Sequence, residues 1–351
     1  MFNRKTKNII YLFGTLIIPA LSIAILFLIK GNFSYKNGFN RKITPARVVL
    51  LSKIKNNNNF TEICGYSKNS IYFANLFPGK IFLTDKNLRG SGTFTVPLHN
   101  NKIASRFETQ VDSPEICLFA GNVPAVYLSR TNSPSAVQIL YLPAIYGRSV
   151  LINAGNLLFR IVQKNKGKLN MVFAAYTLQN QSLQYERGVS ELNGDVGFST
   201  DGLLHYDSAV NLAVYVEFYR NRITAFDTNF NVAYRSHTID TVSRNPTNYN
   251  AMKIGGFKEY TNNSPKRLVN LESCVDQGFL YVQSELRADN EQPYNFAKNS
   301  VIDIYTVKDG RYRESFYIPE DDGGKLYKFR VFGNLLVVLY KDHIAAYHIN
   351  K

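Results

Sequence analysis

Six short apolar segments recur along the chain at nearly even spacing, and this repeat constrains the fold more than any other feature. Each ends in Leu, Tyr or Phe followed by a small or polar residue, as in KIFLTD at 80–85 and ITAFD at 223–227. The steps between successive end residues are 45, 48, 50, 79 and 42. Those end residues are Leu83, Leu128, Tyr176, Phe226, Tyr305 and Tyr347.

Further strands surround each repeated segment. A partner strand precedes it and often opens with Gly-Asn, as in GNLLFRIV at 155–162 and GNLLVVLY at 333–340. Gly and Asn tolerate the dihedral angles of a tight reversal. Most units also contain a later strand, such as YRESFYIP at 312–319. Four antiparallel strands with a period of about 40–50 residues predict an all-β, six-bladed β-propeller. A β-sandwich with irregular loops is the alternative.

The last unit lacks an outer strand, because the chain ends at Lys351 soon after its third strand. An unpaired edge would leave the ring open. The stretch ARVVLLSKIK at 46–55 lies outside the counted units and alternates like a strand. We therefore expect it to close the ring, which makes 46–351 the propeller. The alternative is that this Lys-containing stretch is a flexible tether.

The long step of 79 residues contains a polar stretch, 241–266, that interrupts the repeat. Long irregular loops on rigid scaffolds are often functional. Aromatic and cationic residues in this stretch are of the kinds enriched in interface anchors. The sequence predicts a binding loop here, with a tolerated surface insertion as the alternative. The candidate binding residues are Arg244, Tyr249, Lys253, Phe257, Lys258 and Tyr260.

The N-terminal region contains an uncharged apolar run from 9 to 29. Its length suffices to cross about 30 Å of hydrocarbon as a helix. The sequence predicts a cytoplasmic tail at 1–8, a transmembrane signal anchor at 9–29 and a basic linker at 30–45. We expect a single-pass protein of the inner (cytoplasmic) membrane, with its domain facing the periplasm or the exterior. A cleaved signal peptide is the alternative, since Ser22-Ile23-Ala24 has small residues at peptidase spacing.

The charge distribution argues against a nucleic-acid partner. The chain has a net charge of +15, but ten of its 41 basic residues and none of its acidic residues precede Glu62. The remainder has 31 basic and 26 acidic residues. Nucleic-acid binding requires a clustered basic surface. We expect the partner to be an envelope protein or an anionic ligand instead.

The three cysteines lie in similar tripeptides, at Cys64, Cys117 and Cys274. Aligning the units places Cys64 and Cys274 in or before the first strand and Cys117 in the second, so the tripeptides are not one motif. Buried free thiols behave as small hydrophobic groups. We expect that role for all three, with a Cys64–Cys117 disulfide or a metal or redox site as the alternatives.

The absence of Trp narrows the propeller families. WD40, YWTD, Asp-box and quinoprotein repeats all use Trp in their blade motifs. The chain resembles the NHL and TolB-like group, in which the third strand often ends in an aromatic residue and Asp, as in ITAFD at 223–227. It is most similar to uncharacterised six-bladed propellers of the bacterial envelope. The resemblance covers about 46–351 and implies an interaction or ligand-binding platform more than an enzyme.

Candidate chemical groups are few. His205 and Asp207 share one face of a strand, which suggests either a hydrolytic pair or an inter-blade hydrogen-bonded pair. Glu62, Asp207 and Glu272 lie on or near first strands, where carboxylates could hold a calcium-like divalent cation in the channel. We find no catalytic residues. The function favoured is a membrane-tethered interaction or ligand-binding module, and the alternative is a metal-dependent hydrolase or lactonase.

Overall fold

The chain folds into six four-stranded antiparallel sheets, and each sheet is one blade of a β-propeller. The prediction of a six-bladed propeller is confirmed, and the β-sandwich alternative is wrong. The computed structural model describes residues 14–15, 17–25, 36–67, 69–98, 107–120, 123–245, 249–254, 257–263, 267–320 and 324–350.

The first three blades follow the chain order, each built from four consecutive strands from the axis outwards. Blade 1 comprises β2 (Phe60–Ser67), β3 (Ser70–Asn75), β4 (Lys80–Asp85) and β5 (Gly90–Thr95). Blade 2 comprises β6 (Phe107–Asp112), β7 (Glu115–Ala120), β8 (Ala125–Arg130) and β9 (Ser133–Tyr141). Blade 3 comprises β10 (Tyr146–Asn153), β11 (Asn156–Asn165), β12 (Lys168–Thr177) and β13 (Ser182–Tyr185).

Blades 4 and 5 continue this order, and blade 6 takes its outer strand from the start of the chain. Blade 4 comprises β14 (Gly202–Asp207), β15 (Leu212–Glu217), β16 (Arg222–Phe226) and β17 (Val232–His237). A separate hairpin, β18 (Tyr249–Ile254) and β19 (Phe257–Asn262), follows it. Blade 5 comprises β20 (Asn270–Asp276), β21 (Phe279–Ser284), β22 (Asn299–Thr306) and β23 (Tyr312–Pro319). Blade 6 comprises β24 (Lys328–Phe332), β25 (Leu335–Leu339), β26 (His343–Ile349) and β1 (Val48–Lys55).

The repeated segments of the sequence are the third strands of the six blades. They are mainly apolar on both faces because neighbouring blades cover both, and residues 125–127 of β8 are all buried. Outer strands alternate instead, since one face meets solvent, and β17 alternates between half-buried and exposed positions. Strand type along the chain therefore follows directly from the local pattern of apolar residues.

Six apolar clusters hold the ring together, one between each pair of adjacent blades. The cluster between blades 6 and 1 packs Phe60, Phe73 and Phe82 against Val337 and Ile344. This last interface joins the two ends of the propeller sequence. The ring is thus closed by side-chain packing as well as by strand pairing.

The N-terminal strand completes blade 6, as the sequence predicts. β1 pairs antiparallel with β26 from Val48 opposite Ile349 to Lys55 opposite His343. The amide of Asn350 also donates to the carbonyl of Arg47 at 2.8 Å. These bonds occupy the edge of β26 that would otherwise be open.

Residues 36–47, which include the end of the basic linker predicted at 30–45, are attached to blade 5. The buried Arg41 donates from Nε to Asp303 at 2.8 Å and also pairs with Glu291. Its Nη1 donates to the carbonyl of Leu286 at 2.8 Å. Phe39 packs into a small apolar cluster with Leu286. Arg41, a residue of the predicted basic linker, is thus buried as the cation of an internal ion-pair network.

The ring has two faces, which we call upper and lower. Antiparallel strands reverse at each turn. The upper face therefore contains the connections between blades and those between second and third strands, and the lower face contains the rest. Hydrogen bonds join connections of the same face. The amide of Val269 donates to Phe218 O at 2.7 Å on the upper face, and that of Val307 donates to Gly278 O at 2.8 Å on the lower face.

About half of the predicted membrane anchor at 9–29 lies outside the described residues. Within it, residues 17–25 form a helix, α1, whose side chains are exposed. Among the described residues, no helix is long and apolar enough to cross a membrane. A second short helix, α2 (Pro293–Ala297), lies in blade 5 between β21 and β22.

The three cysteines are free and buried, as expected for small hydrophobic groups. Cys64 and Cys274 lie in the first strands of blades 1 and 5, and Cys117 lies in the second strand of blade 2. The alternative of a Cys64–Cys117 disulfide is wrong.

Candidate functional site

A central channel of about 810 Å³ runs between the first strands of the blades. Each blade contributes wall residues from its innermost strand, because first strands lie nearest the axis. Polar and charged residues make up about half of the wall, and the rest is mainly apolar. Its carboxylates are Glu62, Glu108, Asp112 and Glu272, and its cations are Arg148, Lys328 and Arg330.

The charged groups of blades 5 and 6 form one cluster in this wall. Glu272 lies between two cations, with its Oε1 3.3 Å from Arg330 Nη1 and its Oε2 3.7 Å from Lys328 Nζ. Burial by itself would lower the pKa of Arg330, but nearby negative charge, chiefly that of Glu272, raises it above its ordinary value. The guanidinium thus stays charged inside the channel wall, where it can hold an anionic group.

Polar side chains of the wall connect each blade to the next. The amide of Thr109 donates to Glu62 at 2.8 Å, and Gln110 donates to the carbonyl of Ser149 at 3.0 Å. Arg148 pairs with Asp201 of blade 4 at 3.2 Å. The hydroxyl of Tyr327 donates to the carbonyl of Phe60 at 2.6 Å, which joins blade 6 to blade 1. Much of the polar wall is therefore occupied in holding the inner strands together.

His205 faces the channel from blade 4 and bonds to the next blade. Its Nε2 lies 2.7 Å from the hydroxyl of Ser273. Burial, followed by the positive charges of Arg330 and Lys328, lowers the pKa of His205 to about 3. Ser273 is fully buried, with 0% exposure. This His–Ser pair therefore presents no nucleophile to a channel ligand, and it acts as an inter-blade contact.

Asp207 has a different environment from His205, although both belong to β14. Its Oδ2 accepts from the amide of Gly278 at 2.7 Å, at the hairpin turn of blade 5. Asp276 repeats the arrangement one blade later by accepting from Gly333 at 3.0 Å. Gly278 and Gly333 both have positive φ, of 84° and 61°, which favours glycine at these turns. The pattern identifies Asp207 as a blade-to-blade contact.

The three carboxylates considered for a cation are not brought together. Glu62 and Glu272 lie in the channel wall, whereas Asp207 does not line it. In the part of the chain that the structure describes, no three His, Cys, Asp or Glu residues are close enough to hold a metal ion. The thiols of Cys64 and Cys274 also line the channel, and burial raises the pKa of both, to about 12 for Cys274. These thiols are neutral and poorly nucleophilic.

The predicted binding loop emerges on the upper face between blades 4 and 5. Its strands β18 and β19 pair only with each other among the described strands, from Tyr249 opposite Asn262 to Ile254 opposite Phe257. The first residues of the stretch belong to the propeller, since the amide of Asn221 donates to Val242 O at 2.7 Å. Asn245 also donates to Ser199 O at 3.3 Å, and Arg244 is exposed beside it. The insertion proper therefore begins after Asn245.

Sequence reasoning did not find the cations of the channel. A local signal existed, because the third residue of four first strands is charged. Since the same strand position recurs in each blade, these residues meet around the axis. They are Glu62, Arg148, Glu272 and Arg330.

Comparison with known proteins supports the fold alone. Neither a protein-family profile nor a curated protein sequence matches the chain. Among solved structures, a DUF4221 family member from Bacteroides vulgatus is 12% identical with a TM-score of 0.54, covering 88% of this chain and 99% of its own. The Neurospora crassa Pan2 WD40 domain is 7% identical with a TM-score of 0.50, covering 88% and 98%. Virginiamycin B lyase from Staphylococcus aureus is 11% identical with a TM-score of 0.48, covering 86% and 100%, too remote to bear on chemistry.

Proposed function

We propose that this protein is an interaction module tethered to the inner membrane, with its propeller on the periplasmic or external side. Its partner is an envelope protein or ligand that presents an anionic surface. The observation that carries the proposal is the β18–β19 hairpin, which stands on the upper face and pairs with no blade among the described strands. A β-hairpin that is not part of a blade contributes little to ring closure and is free to contact a partner.

The register of the hairpin supports an anionic partner. Lys253 is paired directly with Lys258, and Ala251 with Tyr260. Because side chains alternate along a strand, positions 249, 253, 258 and 260 fall on one side of the ladder. Like charges at paired positions destabilise a hairpin. An acidic group bound between these two lysines would relieve that repulsion.

The absence of Trp and the aromatic-Asp ending of the blade 4 segment ITAFD support placement with envelope propellers of the NHL and TolB-like group. The apolar run at 9–29 supports the membrane tether. A rigid ring presents its loops in fixed positions, where binding residues are often found.

The test is to replace residues 246–266 with a short Gly-Ser turn and to recover crosslinked partners from membranes. We expect the melting temperature to stay within a few degrees, because Asn245 and the residues before it keep their contacts with the ring. Partner recovery should be lost. Unchanged recovery would place the binding surface elsewhere on the ring.

A pair of charge variants sharpens the test. Lys253→Gln with Lys258→Gln should lower partner recovery while keeping the hairpin register. The matched control is Lys86→Gln with Arg89→Gln, which removes two exposed cations from the lower face. Equal loss in both variants would indicate a response to net charge rather than recognition by the hairpin.

A further inference from the structure

Exposed apolar side chains are concentrated on the upper face of the ring. Outside residues 17–25, seven large apolar side chains in the described part of the chain are at least half exposed. One of them, Leu50, belongs to β1, and none lies in a connection of the lower face. The other six are Leu76, Phe77, Tyr141, Ile145, Leu192 and Tyr294, all in or beside upper-face connections.

These six residues are distributed around the ring rather than forming one groove. Leu76 and Phe77 belong to blade 1, and Tyr294 belongs to blade 5, with blade 6 between them. Leu76 is 78% exposed, Phe77 70% and Tyr294 71%. Single exposed apolar side chains are common on protein surfaces. The restriction of these six to one face is what indicates an interaction surface. Because these side chains are spread around the ring, a broad and flat surface fits them better than a single peptide or small ligand.

Among the described residues, exposed charge on the same face is predominantly positive. The turn between β11 and β12 presents Lys164, Lys166 and Lys168, all exposed. Among the described residues, the exposed carboxylates in the upper-face connections are Glu191 and Asp342. Glu191 is paired with two arginines, and Asp342 with His343 at 2.6 Å. An occupant with negative charge is therefore favoured.

The attachment point of the N-terminal segment lies on this face too. Asn37 donates from its backbone amide to Asp289 at 2.7 Å, and its carbonyl accepts from Thr241 at 2.7 Å. Both partners belong to upper-face connections. Seven residue steps separate position 36 from the end of the apolar run at 29, a reach of at most about 25 Å. The lower face lies farther away by the length of a blade strand, about 20–26 Å.

We propose that the upper face rests on the surface of an anionic bilayer, the same bilayer that holds the segment 9–29. The apolar side chains enter the boundary between head groups and acyl chains, and the basic turn at 164–168 contacts anionic head groups. This inference rests on the proposed membrane tether and adds an orientation to it. The hairpin β18–β19 then lies beside the membrane, where it meets partners held in the same bilayer.

The natural absence of Trp provides a direct test, because one substituted Trp is the only such fluorophore in the chain. The full chain is reconstituted into vesicles of phosphatidylcholine and phosphatidylglycerol containing lipids brominated near the head-group end of the acyl chain. Phe77→Trp and Tyr294→Trp report on two separate parts of the upper face, at blades 1 and 5. Phe279→Trp is the matched control, since Phe279 is an exposed aromatic residue, 39% exposed, on the lower face.

We expect brominated lipid to quench Phe77→Trp and Tyr294→Trp strongly and to leave Phe279→Trp unchanged, because interfacial side chains enter by about 5–10 Å. Quenching of Tyr294→Trp alone would show that the ring stands on its edge, which overturns the proposal. Absence of quenching at both upper positions would overturn it as well and would assign the face to a protein partner.

Two further measurements distinguish failure of the proposed orientation from failure of the proposed membrane tether. Flotation of the protein with the vesicles tests the tether by itself, so flotation without quenching leaves the proposed function standing and overturns only the orientation. Failure of the protein to float with the vesicles would overturn both the proposed membrane tether and the proposed orientation. Reversing Lys164, Lys166 and Lys168 to Glu should reduce quenching in anionic vesicles and leave flotation intact. Unchanged quenching in that variant would overturn the electrostatic part of the proposal.

Discussion

At the residue scale, a network of buried charges attaches the N-terminal segment to the ring. Arg41 is 4% exposed, and Asp303 and Glu291, which it pairs with, are also buried. Asp303 further accepts from Ser315, and Glu291 accepts from Tyr317 at 2.7 Å. A network of this kind fixes the position of the chain before β1 because each charge depends on the others for compensation.

We predict that Arg41→Ala destabilises the protein by roughly 3–5 kcal/mol, since it leaves two buried carboxylates without their cation. Urea unfolding followed by circular dichroism measures the change. Lys42→Ala is the control, because that side chain is exposed, and it should cost under about 0.5 kcal/mol. Similar losses in both variants would show that the network does not stabilise the fold.

The second residue-scale prediction concerns pH and His205. Its pKa is lowered from 6.5 to about 3, so the folded protein keeps it neutral where the unfolded chain binds a proton. Stability is therefore fully present above pH 6.5 and falls as the pH drops from 6.5 towards 3. The loss from this group is about 2 kcal/mol by pH 5.

Urea midpoints between pH 8 and pH 5 measure this effect. The matched variant is His205→Gln, whose amide can still reach Ser273 and does not titrate. We expect the wild type to lose more stability than the variant over that range. Parallel pH curves for the two proteins would show that His205 titrates normally.

At the element scale, β1 decides whether the ring is closed. Its partner β26 is buried at six of its seven positions, and without β1 its outer edge would be open. An open strand edge favours aggregation as well as unfolding. The exposed Leu50 on β1 shows that this strand is itself the outer boundary of the blade.

We predict that a protein beginning near Gly38 folds, whereas one beginning near Asn58 melts far lower or aggregates. Differential scanning calorimetry and light scattering measure the two outcomes. A third variant beginning at Pro45 keeps β1 but loses Arg41, so it separates strand closure from the buried ion pairs. Equal melting temperatures for the first two variants would contradict closure by β1.

At the scale of the whole molecule, the two faces of the ring differ in character. Apolar and basic side chains mark the upper face, where the N-terminal segment is also attached. The three cysteines are buried inside the ring. Surface labelling must therefore use amines or proteolysis rather than thiol chemistry.

We predict that an impermeant amine reagent or a protease added to spheroplasts reaches the propeller while the protein remains in the membrane fraction. Exposed lysines such as Lys86 on the lower face provide reactive sites. The membrane fraction is analysed by immunoblot before and after treatment, with a cytoplasmic protein as the control. Release of the whole domain by osmotic shock would favour a cleaved signal peptide instead.

The sequence by itself determined the strands, the number of blades and the closing strand. These follow from local patterns, because a strand between two blades must be apolar on both faces, whereas an outer strand alternates. The insertion at 241–266 was visible for the same reason, since it breaks an otherwise regular repeat. The start of the insertion after Asn245 could not be seen in the sequence, because it depends on contacts with residues such as Ser199.

Only the tertiary structure decided which polar residues meet. Arg41 and Asp303 are 262 residues apart in sequence, and no local pattern links them. Likewise, Asp207 looked like a channel ligand but bonds to the turn of the next blade, because its position at the end of β14 lies beside that turn. The apolar pattern is a property of each strand alone, whereas the partner of a buried charge is set by how the blades are arranged around the axis.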